Sequence, residues 1–434
     1  MSSPPPFTET TAIRGTLSAP RRPVVIVGGG VVGAACAHYL VTAGAPVLLI
    51  DKLQFGQGCS HANCGYVSPS HILPLCRPGA VYTSLKTLFR RNSPFQMRFR
   101  FDIDFWNWLW KFARRCNRVD MLQAGHARHA LLQSSRTLFD QLFAENVLTE
   151  CDWETLGLLF VYQSKSHFEE YAKTDELLRR EYGLGATALP EAELLAKEPS
   201  LLPGVGGAWL YESDAHLRPD KLMTAWKLRL DRAGVVIREH CELVALEEGD
   251  HCISALITSA GRIEVDQVIF ATGAWSRLLQ SRLKTQIPIE PGKGYSITMN
   301  RPAVCPQYPM IFEEHRVAVT PFQSGYRLGS TMEFAGYDQS IRPERLKLLT
   351  DGASLYLKDP VGEPVVERWY GWRPMSCDGV PLIGRLPAFN NAWLAAGHSM
   401  LGLSMSTATG KLISELVTGK HPHIDPHPYR LDRF

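Results

Sequence analysis

Four glycines, Gly28, Gly29, Gly30 and Gly33, lie between the run VVIV and the stretch AACAHYLVT, and a second apolar run, VLLI, follows and ends on Asp51. Short apolar runs rich in β-branched residues and bounded by glycine read as strands buried on both faces. The chain therefore opens as strand, glycine turn, helix and strand, with the helix ending near Gly44. In Gly28-x-Gly30-x-x-Gly33 the glycines serve a tight turn, close approach of backbone to a pyrophosphate, and close packing of helix on strand. The helix N-terminus then faces the phosphates. Asp51 stands where a carboxylate accepts hydrogen bonds from a ribose 2′-hydroxyl and repels a 2′-phosphate. Residues 23–50 contain no Asp, Glu, Lys or Arg and are long enough to cross a bilayer, but the glycine turn makes them a dinucleotide-binding unit rather than a span.

Composition narrows the remaining choices. With 45% hydrophobic and 21% charged residues, the chain reads as a water-soluble globular protein with room for more than one core. The 46 basic and 43 acidic residues leave a net charge of +3, which is no footprint of a nucleic-acid binder. The 10 cysteines include no C-x-x-C pair and no zinc-type Cys/His spacing, so neither disulfide staples nor a metal partner is expected, and the reducing cytoplasm is the default location. The proline-rich residues 1–21 lack the apolar centre of a signal peptide and read as a loose tail.

Further along, 53–80 reads as a long ordered loop and 101–149 as largely helical, opening on FDIDFWNWLWKF. Strand-like runs at 157–163 and 206–211 frame charged helical segments, and 219–234 is helical again. VIFATG at 268–273 is a buried strand closing on a glycine turn, 286–332 is strand-rich, and a last helix follows Gly402. These patterns predict an α/β protein of two interleaved domains. A Rossmann-like dinucleotide domain takes residues 22–100, 217–285 and 370–434, and an α+β substrate domain takes 101–216 and 286–369.

The fingerprint does not separate FAD from NAD. The loop FGQGCSHANCGYVSP, however, places Ser60, His61, Asn63 and several backbone N–H donors where an extended FAD continues toward its flavin. AAGHSMLGLSMSTATG sets Gly397 to Gly402 ahead of the last helix, whose N-terminus suits the negative charge of a reduced flavin. These pieces join FWNWLWKFARRC, GKGYSIT and GWRPMSCDGVPLIG in one order from about residue 22 to the end. In that order the chain resembles the FAD-dependent amino-acid dehydrogenases and oxidases of the D-amino-acid oxidase superfamily, the bacterial D-amino-acid dehydrogenases above all. The resemblance implies a glutathione-reductase-type FAD fold. It also implies oxidative deamination of a D-amino acid to a 2-oxo acid and ammonia, with the Cα hydride passing to flavin and the electrons going on to a quinone or another acceptor.

By the same resemblance, Arg373 in the GWRP turn corresponds to the arginine that pairs with the substrate carboxylate, a task suited to a guanidinium fork. Tyr295, Tyr66 and His315 are further expected site residues, His315 standing near a position where relatives carry tyrosine. The expected cofactor contacts are Gly28, Gly30, Val31, Val32, Gly33, Asp51, Lys52, Ser60, His61, Asn63, Gly65, Val244, Ala271, Gly273, Gly371, Gly397, His398, Leu401 and Gly402. The chain departs from the family pattern in places. His398-Ser399-Met400-Leu401 holds no second arginine, Cys64 replaces a small residue, and His61 raises a covalent flavin link at an offset unlike that of known histidyl-flavin families. No general base is evident, and none is required once the substrate amine is neutral.

Other readings stay open. They are a glycine or sarcosine oxidase, a D-proline or hydroxyproline enzyme, the flavin subunit of a cyanide-forming glycine dehydrogenase, an FAD-holding subunit without turnover, and an NAD-linked dehydrogenase. FWNWLWKF at 105–112, followed by Arg114 and Arg115, reads either as an aromatic helix packed on the flavin domain or as an interfacial patch. The patch would touch the inner face of the cytoplasmic membrane, as delivery of electrons to a quinone needs.

Overall fold

The computed structural model describes residues 22–82 and 95–434. The expected tail at 1–21 and the stretch 83–94 of the first dinucleotide-binding segment lie outside the described residues. The first two strands, Val24–Val27 and Val47–Ile50, pair in parallel on either side of the helix Val31–Thr42. They occupy the middle of a six-stranded sheet that runs Leu382–Arg385, Ala392–Ala396, Val268–Phe270, Val24–Val27, Val47–Ile50, Val236–Arg238. Leu382–Arg385 pairs antiparallel and the others parallel.

Side-chain alternation explains why these strands are wholly apolar. Val24, Ile26, Val47 and Leu49 point to a core shared with the helices Val31–Thr42, Arg118–Ala144, Pro219–Arg232 and Gly402–Thr418. Val25, Val27, Leu48 and Ile50 point the other way, to a core shared with the antiparallel sheet of Leu243–Gly249, Cys252–Thr258 and Gly261–Glu264. With both faces covered, no position on either strand reaches water.

The second layer is a nine-stranded sheet. Its path is Val365–Ser376, Ile289–Met299, Gly325–Phe334, Val317–Phe322, Met310–Phe312, Leu158–Tyr162, Gly207–Tyr211 and Thr187–Pro190, with Phe95–Met97 paired to Gly325–Phe334. On one face Tyr295, Ile297, Met299, Val317 and Leu328 pack under the helix Pro343–Ser354 through Leu346, Leu349 and Ala353. On the other face Ser296 and Thr298 turn toward the loop at 60–65. That loop runs into a short strand, Tyr66–Val67, paired with Ala215–His216.

Packing redraws two expected boundaries. Residue 370 falls inside Val365–Ser376, which pairs with Ile289–Met299 from Val365 through Ser376 and so belongs to the larger sheet to its end. The helix Arg118–Ala144, expected in the substrate domain, buries Ala124, Leu131, Leu138 and Phe139 in the core of the six-stranded sheet. The aromatic helix Ile103–Arg114, capped by Asp102 accepting from the Phe105 N–H at 3.1 Å, has a packed side and an exposed side. Phe105 and Trp108 are buried, and Trp108 Nε1 donates to the Met375 carbonyl at 2.8 Å. Trp106 and Trp110 are exposed, beside Ile103, Phe99 and a Phe101 that is 97% exposed. Among the described residues no helix is long and apolar enough to cross a membrane.

The glycine turn is fixed by contact. Gly28 takes φ +114°, and a Cβ there would lie 2.5 Å from the Ala271 carbonyl oxygen; at Gly33 it would lie 1.9 Å from that of Gly28. Backbone atoms of a buried strand and turn have nowhere to retreat. Gly33→Ala should therefore destabilise the fold by about 3 kcal/mol and lower the flavin retained on purification. An unchanged denaturation midpoint would show that the helix can lift off the strand at no cost.

Candidate active site

The two sheets meet over the loop at 60–65, which the larger sheet grips by its carbonyls. Ser296 Oγ donates to the Ala62 carbonyl at 2.8 Å, Thr320 Oγ1 to that of Cys64 at 2.7 Å, and Arg327 Nη1 to that of Asn63 at 2.8 Å. Asn63 braces the loop from within, its amide donating to the Ser60 carbonyl at 3.2 Å and its oxygen accepting from the Gly65 N–H at 2.9 Å. Arg327 is 1% exposed, donates through Nε to Thr298 Oγ1 at 2.9 Å, and lies 3.5 Å from Asp220.

A cavity of about 630 Å³ follows this junction. Its wall includes Gly28, Gly30, Val31 and Val32 at the helix start, Asp51, Lys52 and Val244, the loop residues Ser60, Asn63 and Gly65, and Ala271 and Gly273 after the Val268–Phe270 strand. Gly371, Arg373, His398, Leu401 and Gly402 complete the expected lining. Asp51 accepts from the Gly29 N–H at 2.6 Å and the Leu53 N–H at 2.7 Å, donors that oppose the upward push of burial on its pKa. Ser60 Oγ accepts from the Val31 N–H at 2.9 Å, tying the loop to the first turn of the helix. The Lys52 ammonium stacks over the Trp275 ring, 4.4 Å from its centre. Burial holds His398 down to about 3, so it is neutral, with Nε2 3.0 Å from Thr409 Oγ1.

These residues fit FAD. Gly28 has a backbone cradle that a Cβ would fill, the helix start offers N–H groups to a pyrophosphate, Asp51 stands at the end of the second strand, and the Gly402–Thr418 helix begins at the cavity wall.

Arg373 is seated with unusual backbone geometry. Its Nη1 donates to the Thr331 carbonyl at 2.7 Å and its Nη2 to that of Ser330 at 3.5 Å. Ser330 and Thr331 have φ of 112° and 57°, left-handed values that cost about 1–3 kcal/mol each. They coincide with a register shift opposite Lys293 and Tyr295. The guanidinium also occupies the space over Gly294, where a Cβ would sit 2.2 Å from Nη1.

Several expected site residues lie elsewhere. His315 is off the cavity wall, its Nδ1 2.9 Å from Tyr356 Oη beneath the larger sheet. His61 is also off it, its Nε2 2.9 Å from Glu367 Oε1. Gly33 packs on Gly28 and Gly397 on Leu382, both behind the wall. Tyr66 and Tyr295 border the cavity with their hydroxyls spent. Tyr66 donates to the Met310 and Val319 carbonyls at 3.0 and 2.9 Å, and Tyr295 donates to Glu333 at 2.8 Å in the cluster on the far face. Burial raises the thiols of Cys59, to about 11, and Cys64, so both stay protonated. Sequence reasoning missed Trp275, Trp369, Trp372, Ser330, Ser68 and His71 on the wall. Trp275 and Trp372 each adjoin a motif already singled out, and that adjacency was the available signal.

Comparison with known proteins agrees with this geometry. A family model described as FAD dependent oxidoreductase matches residues 23–416. The D-amino acid dehydrogenase of Paramagnetospirillum magneticum is 32% identical over 426 residues, covering 95% of this chain and 98% of the relative. That of Granulibacter bethesdensis is 30% identical over 421 residues, covering 95% and 99%. Among solved structures, a glycine oxidase from Geobacillus kaustophilus superposes with a TM-score of 0.76 at 22% identity over 96% of this chain and 100% of that one. An L-proline dehydrogenase from P. horikoshii gives 0.70 at 20% identity over 95% and 98%.

The His61–Glu367 pair gives the site region a pH signature. The hydrogen bond raises the His61 pKa above 6.5 and lowers that of Glu367 below 4.5. A raised histidine stabilises in full below its unfolded value and loses this as pH rises through the folded value; a depressed glutamate does the reverse. The pair therefore contributes most between roughly pH 4.5 and 6.5. Glu367→Gln should lower the thermal midpoint more at about pH 5.5 than at about pH 8.5. Equal shifts at both would mean that packing, not charge, is what the substitution removes.

Proposed function

The chain belongs to the FAD-dependent oxidoreductase family, and from that premise we propose that it oxidises a D-amino acid to the 2-oxo acid and ammonia, passing the electrons to a quinone or another carrier. The observation that carries this reading is Arg373, a guanidinium held by two turned carbonyls in the same cavity as the dinucleotide cradle. FAD, when bound, supplies the two-electron acceptor for the Cα–H bond. The chain's own residues bind and orient. Arg373 takes the substrate carboxylate in its fork, and Trp369 and Trp372 narrow the space around it. The largely apolar wall excludes water, which strengthens the carboxylate contact and aligns the Cα–H bond. The neutral His398 places no competing cation beside Arg373.

The choice of acceptor rests on the surface. Phe99, Phe101, Ile103, Trp106 and Trp110 form an exposed apolar patch, and the Arg114 guanidinium lies over the Trp110 ring at 4.7 Å. Aromatic and arginine side chains together suit the headgroup layer of an anionic bilayer. We place peripheral contact with the inner face of the cytoplasmic membrane there, on the outer side of the helix whose inner side packs on the strand carrying Arg373.

Anaerobic addition of D-amino acids to the yellow protein should bleach the flavin, with fast reoxidation by a quinone analogue and slow reoxidation by air. Bleaching by glycine, sarcosine or proline alone would replace the D-amino acid, and bleaching by none would withdraw the reading. Arg373→Lys keeps the charge but loses the fork, and should lower kcat/KM by about 2–4 kcal/mol, roughly 30- to 700-fold, with the flavin spectrum intact. The double substitution Trp106→Ser and Trp110→Ser should abolish co-sedimentation with anionic vesicles while activity with a soluble dye acceptor is kept. Sedimentation as before would move the membrane contact elsewhere.

A further inference from the structure

The cavity does not end at Arg373. Residues paired directly across neighbouring strands present their side chains on one face of a sheet, and Gly329, Ala318, Ile311 and Phe160 form such a row across the larger sheet. Ala318 and Ile311 line the cavity, and the row passes beside Ser330, whose carbonyl holds Arg373. At about 4.8 Å between neighbouring strands, three steps carry this floor about 14 Å from the support of Arg373 to the strand of Phe160. Tyr66 walls one side, its hydroxyl fixed on the Met310 and Val319 carbonyls.

His71 stands at the far end. Its ring lines the cavity and lies 5.3 Å from that of Phe160, centre to centre. The residue is anchored by its backbone, its carbonyl accepting from Arg128 Nη2 at 2.7 Å, which leaves the side chain uncommitted. The ring is half-buried. Nδ1 is buried without a partner, whereas Nε2 is not enclosed in this way and takes no hydrogen bond from the described residues. Burial, seconded by the Arg128 and Arg316 charges, holds the imidazole down to about 4, so it is neutral and carries one donor and one acceptor nitrogen. Nearby polar groups are spent or closed off: Ser70 Oγ donates to Asp214 at 2.5 Å, and Ser68 has no exposed surface.

We propose that His71 sets side-chain specificity, its open imidazole edge hydrogen-bonding the hydroxyl of a phenolic substrate side chain, that of D-tyrosine, laid along Ala318 and Ile311 with its carboxylate at Arg373. The inference rests on the amino-acid reading of the same site and narrows it. Length selects first, because at about 1.5 Å per bond the side chain of alanine or serine ends far short of His71, while a para-substituted ring carries its hydroxyl outward. The apolar floor favours an aromatic body and penalises a charged end. A phenol both donates and accepts, so it satisfies either tautomer of the neutral ring, whereas an indole only donates. The Arg128 and Arg316 charges that act on the ring also oppose a cationic side chain there.

The test compares second-order rate constants for anaerobic flavin bleaching of the holoenzyme by D-tyrosine, D-phenylalanine, D-alanine and D-glutamate. D-Tyrosine should exceed D-phenylalanine by about 10-fold, since the two differ by the hydroxyl alone. His71→Phe keeps a ring against Phe160 and should bring that ratio to about one with the flavin spectrum intact, while His71→Gln, which still hydrogen-bonds, should restore part of it. Ala318→Leu raises the floor without touching His71 and should lower the ratio of D-tyrosine to D-alanine by about 10-fold, so a poorly folded His71 variant does not decide the matter. Equal bleaching of the wild-type protein by D-tyrosine and D-phenylalanine, or a ratio unchanged in His71→Phe, would overturn the proposal and leave amino-acid oxidation standing. Loss of flavin from a folded His71→Phe protein would set the residue against the cofactor instead, and a preference for D-glutamate would overturn the proposal in favour of recognition by the Arg128 charge. Bleaching by no amino acid at all would withdraw the functional reading beneath it.

Discussion

The buried guanidinium of Arg327 joins the two layers. It reaches from the larger sheet to the Asn63 carbonyl of the loop at 60–65, with Asp220 as its counter-charge. Desolvation makes such a pair a poor source of net stability against an apolar replacement. Its geometric demand is strict, because removing Asp220 takes the ion-pair partner from the Arg327 charge where water does not reach. Only one placement of loop on sheet satisfies Arg327, Ser296 and Thr320 together, and that placement sets Ser60 against the first turn of the helix at 31–42. The cofactor cradle and the substrate side of the cavity are thus positioned by one clamp.

Local pattern made part of this legible in the sequence. The strand, glycine turn, helix and second strand ending on Asp51 follow from residue types within one short segment, and the structure places them so. The α/β class was readable for the same reason. The tyrosines show where such reading stops. The Tyr66 hydroxyl ends on the carbonyls of Met310 and Val319, and that of Tyr295 on Glu333; these choices depend on strand pairing distant in sequence. A period of two assigns Tyr295 to one face of its strand, but which face meets the cavity is decided by Gly294 and Ser296 beside it. Arg327 carries no local signature, since burial alone gives it meaning.

Arg373 illustrates how a site stores conformational energy in its support. The carbonyls that hold it belong to Ser330 and Thr331, whose left-handed backbone sits at a register shift with paired strand before and after it. A rigid sheet can hold an unfavourable turn that a loop would relax. Met332, next along the strand, has its sulfur 3.9 Å from Arg373 Nη1 and packs against the core of the aromatic helix.

The hydrogen bond from Trp108 to the Met375 carbonyl gives that helix a mechanical role. Met375 is two residues from Arg373 on the same strand and also bridges to His398. The strand carries Arg373 near its end and is braced at Met375 by Trp108. The exposed aromatic side of the helix and the Arg373 strand are thus separated by one buried indole and its hydrogen bond, with no loop between them.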